Sequence, residues 1–143
     1  MQLTQTFAFL EENSSKRPLV LVVEDQPAIQ DMLGWVLHLK GYRSACTSNG
    51  QEALDWIEEA RQTGDYPAVI LLDLFMPVMN GSKFLAHLRT RWDAPLPIPP
   101  VILLTVDKSN HEHLACHDVL TKPFHINDLC ESLQRVTINT CAS

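Results

Sequence analysis

Leu19-Val20-Leu21-Val22-Val23-Glu24-Asp25 is the stretch that decides the fold. Its first five residues are apolar without a break, so they cannot alternate between core and solvent; a run of this kind suits a strand covered on both faces, as in a parallel sheet. Two acids follow at once. Pro27 then stands where a helix can begin, and Ile29, Leu33, Val36 and Leu37 recur at helical spacing until Gly41 stops the pattern.

The strand-then-helix cycle repeats along the chain. Arg43 to Thr47 is a short strand candidate, Asn49-Gly50 a turn, and Gln51 to Arg61 a helix with Ala53, Leu54, Ile57 and Ala60 on one face. Val69 to Leu72 is the next buried strand. Gly81 to Arg91 is the next helix, with Phe84, Leu85 and Leu88 facing inward, and Val101 to Leu104 is another strand. Val119-Leu120-Thr121 makes the last strand, and Ile126, Leu129, Leu133 and Val136 the last helical stripe. Strands alternating with helices imply right-handed βαβ units in an open parallel sheet, an α/β doubly wound fold with flanking helices.

Composition limits what such a domain can do. A chain of 143 residues amounts to one domain at roughly 100–200 residues each, so no effector domain is expected beside it. The expected division is an extension over residues 1–18, a folded domain over 19–136 and a tail over 137–143. A formal charge of −6 repels phosphate backbones and anionic lipid, so no direct nucleic-acid or membrane contact is expected. The longest apolar runs fall far short of the roughly 20 residues of a membrane span. Lys16 and Arg17 come after the short Phe7-Ala8-Phe9-Leu10 patch rather than before it, which argues against a secretory signal and for a cytoplasmic protein. Cys46, Cys116, Cys130 and Cys141 form no C-x-x-C pair and read as reduced, mostly packed thiols.

In open parallel sheets ligands sit beyond the carboxyl ends of the strands, where strand order reverses. The residues at those ends are Glu24 and Asp25, then Asp73, Thr105 and Lys122. Carboxylates crowded at one edge raise each other's pKa unless a cation keeps them ionised. Mg²⁺ suits such a site, since it takes oxygen ligands and usually only one or two carboxylates plus phosphoryl oxygens; Asp25 and Asp73 are the best direct ligands, with Glu24 acting directly or through water. No G-x-x-x-x-G-K-[ST] loop or G-x-G-x-x-G fingerprint is present to cradle a nucleotide, so a phosphoryl group must come from elsewhere. Asp73 is a candidate nucleophile that would carry it as an acyl phosphate, with Lys122 supplying positive charge and the Thr105 hydroxyl a hydrogen bond.

The pieces Leu-Val-Val-Glu24-Asp25, Leu-Leu-Asp73-Leu-Phe-Met76-Pro77-Val-Met-Asn80-Gly81, Ile-Leu-Leu-Thr105 and Leu-Thr-Lys122-Pro123-Phe124 together resemble a response-regulator receiver domain, the phosphoacceptor module of two-component signalling. The resemblance spans residues 19 to about 136. It implies a five-stranded, flavodoxin-like sheet of order 2-1-3-4-5, with Asp73 as phosphoacceptor and Glu24 and Asp25 as the acid pair. It further implies the main-chain carbonyl of Phe75 as another Mg²⁺ ligand, Thr105 as switch hydroxyl and Lys122 as the phosphoryl-contacting lysine. The Lys122–Pro123 bond resembles one that is often cis. The implied donor is a phosphohistidine of a sensor histidine kinase or of a histidine phosphotransfer protein, and the implied output is altered binding to a downstream protein. No enzymatic activity is implied beyond the domain's own phosphorylation and dephosphorylation.

Three features depart from the family pattern. From Thr105 to Lys122 the chain advances only 17 positions, which must hold a loop, a helix, a turn and a strand at connection lengths of about 2–6 residues each. The fourth helix is therefore expected to be short or irregular. Val119 stands where the family usually has an aromatic coupled to the switch hydroxyl, a change that favours a pseudo-receiver working without phosphorylation. Phe75 and Val106 are bulky neighbours of the phosphoryl position, which implies slow hydrolysis of the phosphorylated form. Phe75 also stands where an aspartyl phosphohydrolase usually carries its second acid.

Ordinary explanations compete with each of these. A strand-end aspartate is commonly a helix cap, and an acid pair is commonly an exposed turn; it is the joint placement at strand ends that gives Glu24, Asp25 and Asp73 their functional weight. His111, His113, Cys116 and His117 match no zinc-site spacing and read as a polar surface helix. Trp35, Trp56 and Trp92 read as core or edge packing, and Pro95, Pro97, Pro99 and Pro100 as a stiff connection.

Overall fold

The computed structural model describes residues 17–92, 97–106 and 116–142, with side chains as far as Thr137. Its elements are β1 (Leu19–Val23), α1 (Pro27–Leu39), β2 (Arg43–Thr47), α2 (Gly50–Thr63), β3 (Val69–Asp73), α3 (Gly81–Arg91), β4 (Val101–Thr105), β5 (Asp118–Thr121) and α4 (Ile126–Ala142). All four strand pairings are parallel, and the order is β2-β1-β3-β4-β5. Strands β1, β3 and β4 are buried at every position, as their unbroken apolar runs require.

Alternate residues of those strands feed two cores. Val20, Val22, Leu71, Ile102 and Leu104 face α1 (Leu33, Val36, Leu37) and α4 (Leu129, Leu133, Val136). Leu21, Val23, Ile70, Leu72 and Leu103 face α2 (Ala53, Leu54, Ile57) and α3 (Phe84, Leu85, Leu88). Each fully buried Leu or Val stabilises the fold by about 1.5–3 kcal/mol relative to leaving it exposed.

Helix ends are set locally. The Asn49 side chain accepts from Glu52 N at 3.0 Å and the Asn80 side chain from Lys83 N at 2.9 Å, capping α2 and α3. Gly64 closes α2 in the left-handed conformation at φ 76°. Gly81 is required by proximity: a Cβ there would stand 2.7 Å from Asp73 O, so only glycine lets α3 begin directly behind the end of β3.

Several sequence expectations need correction. Helix α4 runs to Ala142, through the boundary at residue 137, and Ile126, at its first position, is 46% exposed. Trp35 is 65% exposed; two residues beyond Leu33 on a helix, it points about 200° away from the buried face. Cys46 is exposed on the edge strand β2, whereas Cys116 and Cys130 are half-buried; all three are free thiols. The expected short fourth helix falls on residues 107–115, outside the described residues, as do His111, His113 and residues 1–16 of the extension. His117 is tied to the sheet: its N–H donates to Val101 O at 2.8 Å and its Nδ1 accepts from Val101 N at 3.2 Å.

Candidate functional site

At the carboxyl edge the central strands end in polar residues that the core holds in place. Glu24 follows β1, and its N–H donates to Thr47 O at 3.0 Å, so the start of the β1–α1 turn is fixed to the end of β2. Asp73 is the last residue of β3 and pairs in register with Leu104, which puts it beside Thr105 on the neighbouring strand. Lys122 follows β5, and its N–H donates to Thr105 O at 2.7 Å. The Lys122–Pro123 peptide is cis, as the family resemblance implies.

These placements bring four charged side chains together. Carboxylate oxygens of Glu24, Asp25 and Asp73 lie within 4.8 Å of one another. Lys122 Nζ is 3.0 Å from Glu24 Oε2, 3.3 Å from Glu24 Oε1 and 3.5 Å from Asp73 Oδ1. Glu24 has no solvent exposure and Asp73 is 5% exposed, while Asp25 is half-buried. Phe75 N–H reaches Asp73 Oδ1 at 3.4 Å.

Asp73 is pushed up to about 6, first by burial and then by the negative charge of Glu24. The Lys122 ammonium and the Phe75 N–H act in the opposite direction, and a hydrogen bond with the Asp25 side chain adds to the rise. Three acids facing one lysine therefore leave Asp73 short of positive charge.

Asp25, Asp73 and Lys122 open into a cleft of about 590 Å³, whose apolar walls include Ile29, Met32, Phe75, Val106 and Phe124. Glu24 and Thr105 lie behind this lining, Thr105 being 1% exposed. Phe75 is 56% and Val106 66% exposed, so both bulky side chains stand at the rim beside Asp73. Val119 packs half-buried against the core on the α2–α3 face and cannot swing as an aromatic would. The all-oxygen donor set suits a hard divalent cation such as Mg²⁺, which would add the positive charge that Lys122 alone does not give.

Two groups of residues were not singled out from the sequence. Gln30 on α1 reaches back to the Glu24 carbonyl. Asp118 accepts from Ser132 Oγ at 2.5 Å and from Arg135 Nη2 at 2.6 Å, tying the edge strand β5 to α4. A Gln beside Ile29 and an Arg beside the last apolar stripe both look like solvated helix positions, and nothing in the spacing marks them otherwise.

The family model for the response regulator receiver domain matches residues 20–134 of this chain. A curated relative, the alkaline phosphatase synthesis transcriptional regulatory protein SphR of Synechococcus elongatus, is 30% identical over 131 residues, covering 84% of this chain and 50% of the relative. The chain thus spans half the length of that relative. Among solved structures, the chemotaxis protein CheY4 of Vibrio cholerae is similar with a TM-score of 0.73 at 30% identity, covering 84% of this chain and 98% of that one. The receiver domain of sensor histidine kinase PA1611 of Pseudomonas aeruginosa, which has a magnesium ion coordinated in its active-site cleft, matches with a TM-score of 0.70 at 27% identity, over 85% of this chain and 98% of that one. Among the described residues no helix is long and apolar enough to cross a membrane.

Proposed function

The chain belongs to the response regulator receiver domain family of two-component signalling, and on that premise we propose that it is a phosphorylation switch whose acceptor is Asp73. The observation that carries this reading is the convergence of Glu24, Asp25, Asp73 and Lys122, the last three of which line one open cleft.

The chemistry follows from the arrangement. An ionised oxygen of Asp73 attacks the phosphorus of a phosphoimidazole, a P–O bond forms as the P–N bond breaks, and the imidazole leaves and takes up a proton. Lys122, 3.5 Å from Asp73, faces the charge that spreads over the transferring oxygens. Thr105, ending the adjacent strand, is the hydroxyl that meets the bound phosphoryl group and carries the change to the surface. Asp25, Asp73 and the main-chain carbonyl of Phe75 would hold Mg²⁺, with Glu24 contributing directly or through water. Mg²⁺ would supply the positive charge that lets three acids and a phosphoryl group share one hollow. Dephosphorylation reverses the state when water attacks phosphorus and releases phosphate.

The donor class is a sensor histidine kinase or a histidine phosphotransfer protein, met in the cytoplasm. The downstream partner is a protein whose affinity for the chain changes by the roughly 5- to 150-fold that a coupling of 1–3 kcal/mol provides. Labelling of the chain with acetyl phosphate and with phosphorylated kinases, in the presence and absence of Mg²⁺ and with Asp73→Asn as control, tests the reading. Mg²⁺-dependent label on Asp73 supports it. Partner binding by a chain that no donor labels would favour the pseudo-receiver that Val119 suggests.

A further inference from the structure

Gln30 sits in the second turn of α1, half-buried, and its side chain turns back toward the carboxyl ends of β1 and β2. Its Nε2 donates to the main-chain carbonyl of Glu24 and lies 3.4 Å from Thr47 O and 3.3 Å from Ser48 Oγ. Two of these three neighbours are carbonyl oxygens, which only accept, so the nitrogen of the amide and not its oxygen must face them.

The Glu24 carbonyl belongs to the peptide that joins Glu24 to Asp25, while the Glu24 N–H is already held by Thr47 O at 3.0 Å. Gln30 therefore grips the far side of a residue whose near side is fixed to β2. Gln26, which caps α1, has an extended backbone and makes no side-chain capping bond. Glycine or proline would set the turn by backbone preference alone, but Glu24, Asp25 and Gln26 carry no such restriction and need an external restraint.

We propose that Gln30 is a positioning residue for the divalent-cation site: by binding the Glu24 carbonyl it holds the Glu24–Asp25 peptide in the one orientation that points the Asp25 carboxylate at Asp73. The proposal rests on the reading of Glu24, Asp25 and Asp73 as the Mg²⁺ site. Its energetic form is that of a hydrogen-bond partner behind a metal ligand, where loss of the partner typically weakens metal affinity 10–100-fold.

The test compares the full chain with Gln30→Met, which keeps the length of the side chain and removes the amide. Mg²⁺ affinity is measured by calorimetric titration, and amide hydrogen exchange is measured without metal. The expected result is at least a tenfold weaker Mg²⁺ affinity, with faster exchange at the Glu24 amide and unchanged exchange at Leu71 in the central strand. Wild-type affinity in Gln30→Met overturns the inference while leaving the metal site intact. Faster exchange throughout the central strands also overturns it, because Gln30 would then support the fold rather than the site. If the wild-type chain takes up no Mg²⁺, the reading of the site fails and the inference falls with it.

Discussion

The Lys122 ammonium lies 3.0 and 3.3 Å from the two carboxylate oxygens of Glu24, a side chain with no solvent exposure. Lys122 is thus closer to Glu24 than to Asp73, at 3.5 Å, and it neutralises the most deeply buried of the three acids. Breaking a buried pair by removing one partner costs about 3–5 kcal/mol, since the other charge stays behind unpaired. Lys122→Met should therefore lower the metal-free stability by an amount of that order. Added Mg²⁺ should recover more stability in this variant than in wild type, because it meets three acids with no competing cation. Urea unfolding of both proteins with and without Mg²⁺ reads this directly; equal Mg²⁺ gains would show that Lys122 and the cation do not share the acids.

The pH dependence of stability follows from Asp73. Its pKa in the folded chain is pushed up to about 6 from an ordinary 3.8. Between these values the folded chain keeps a proton that the unfolded chain has lost, so Asp73 stabilises the fold below the unfolded pKa and this contribution is lost as pH rises through about 6. Asp73→Asn removes the ionisation. The metal-free variant should be more stable than wild type at neutral pH, and the gap should close as pH falls through the window between the two pKa values. Denaturant midpoints across that range provide the measurement, and a gap that stays constant with pH would contradict the assignment.

Phe75 and Val106 stand at the rim of the cleft beside Asp73, where both side chains would crowd a water approaching a phosphoryl group on that residue. Trimming either to Ala should speed loss of the phosphoryl group several-fold without changing how fast the chain is labelled by acetyl phosphate. Both rates come from the same time course of intact mass, and unchanged hydrolysis in the double variant would remove crowding as the cause.

Helix α1 exposes Met32, Trp35 and Leu39 at helical spacing, and Met32 also lines the cleft. An apolar strip leading into a reactive hollow fits contact with the protein that carries the donor histidine. Trp35→Ala should slow phosphoryl transfer from a cognate histidine protein about tenfold or more and leave labelling by acetyl phosphate unchanged. A parallel loss with both donors would point to damage at Asp73 instead.

The fold was legible because the runs at residues 19–23, 69–72 and 101–104 have no polar residue to face solvent, and the helices between them carry one apolar stripe each. The strand ends then named Glu24, Asp25, Asp73 and Lys122 without knowledge of distances. What the sequence did not reveal are relations set by direction rather than type. Trp35 reads as core or edge packing by composition and is exposed by its angle on α1; Gln30 reads as surface and turns inward to a carbonyl. Asp118 joins Ser132 and Arg135 across 14 and 17 positions, and no local pattern encodes such a contact.

The proposed switch requires Asp73 to accept a phosphoryl group in a cation-dependent reaction. Intact-mass analysis of the chain after incubation with acetyl phosphate and Mg²⁺, followed by peptide mapping, tests it most directly. The expected result is gain of one phosphoryl group on Asp73, cleaved by hydroxylamine as an acyl phosphate must be, and absent both in Asp73→Asn and when the metal is chelated. Label on another residue, or equal labelling without divalent cation, would contradict it.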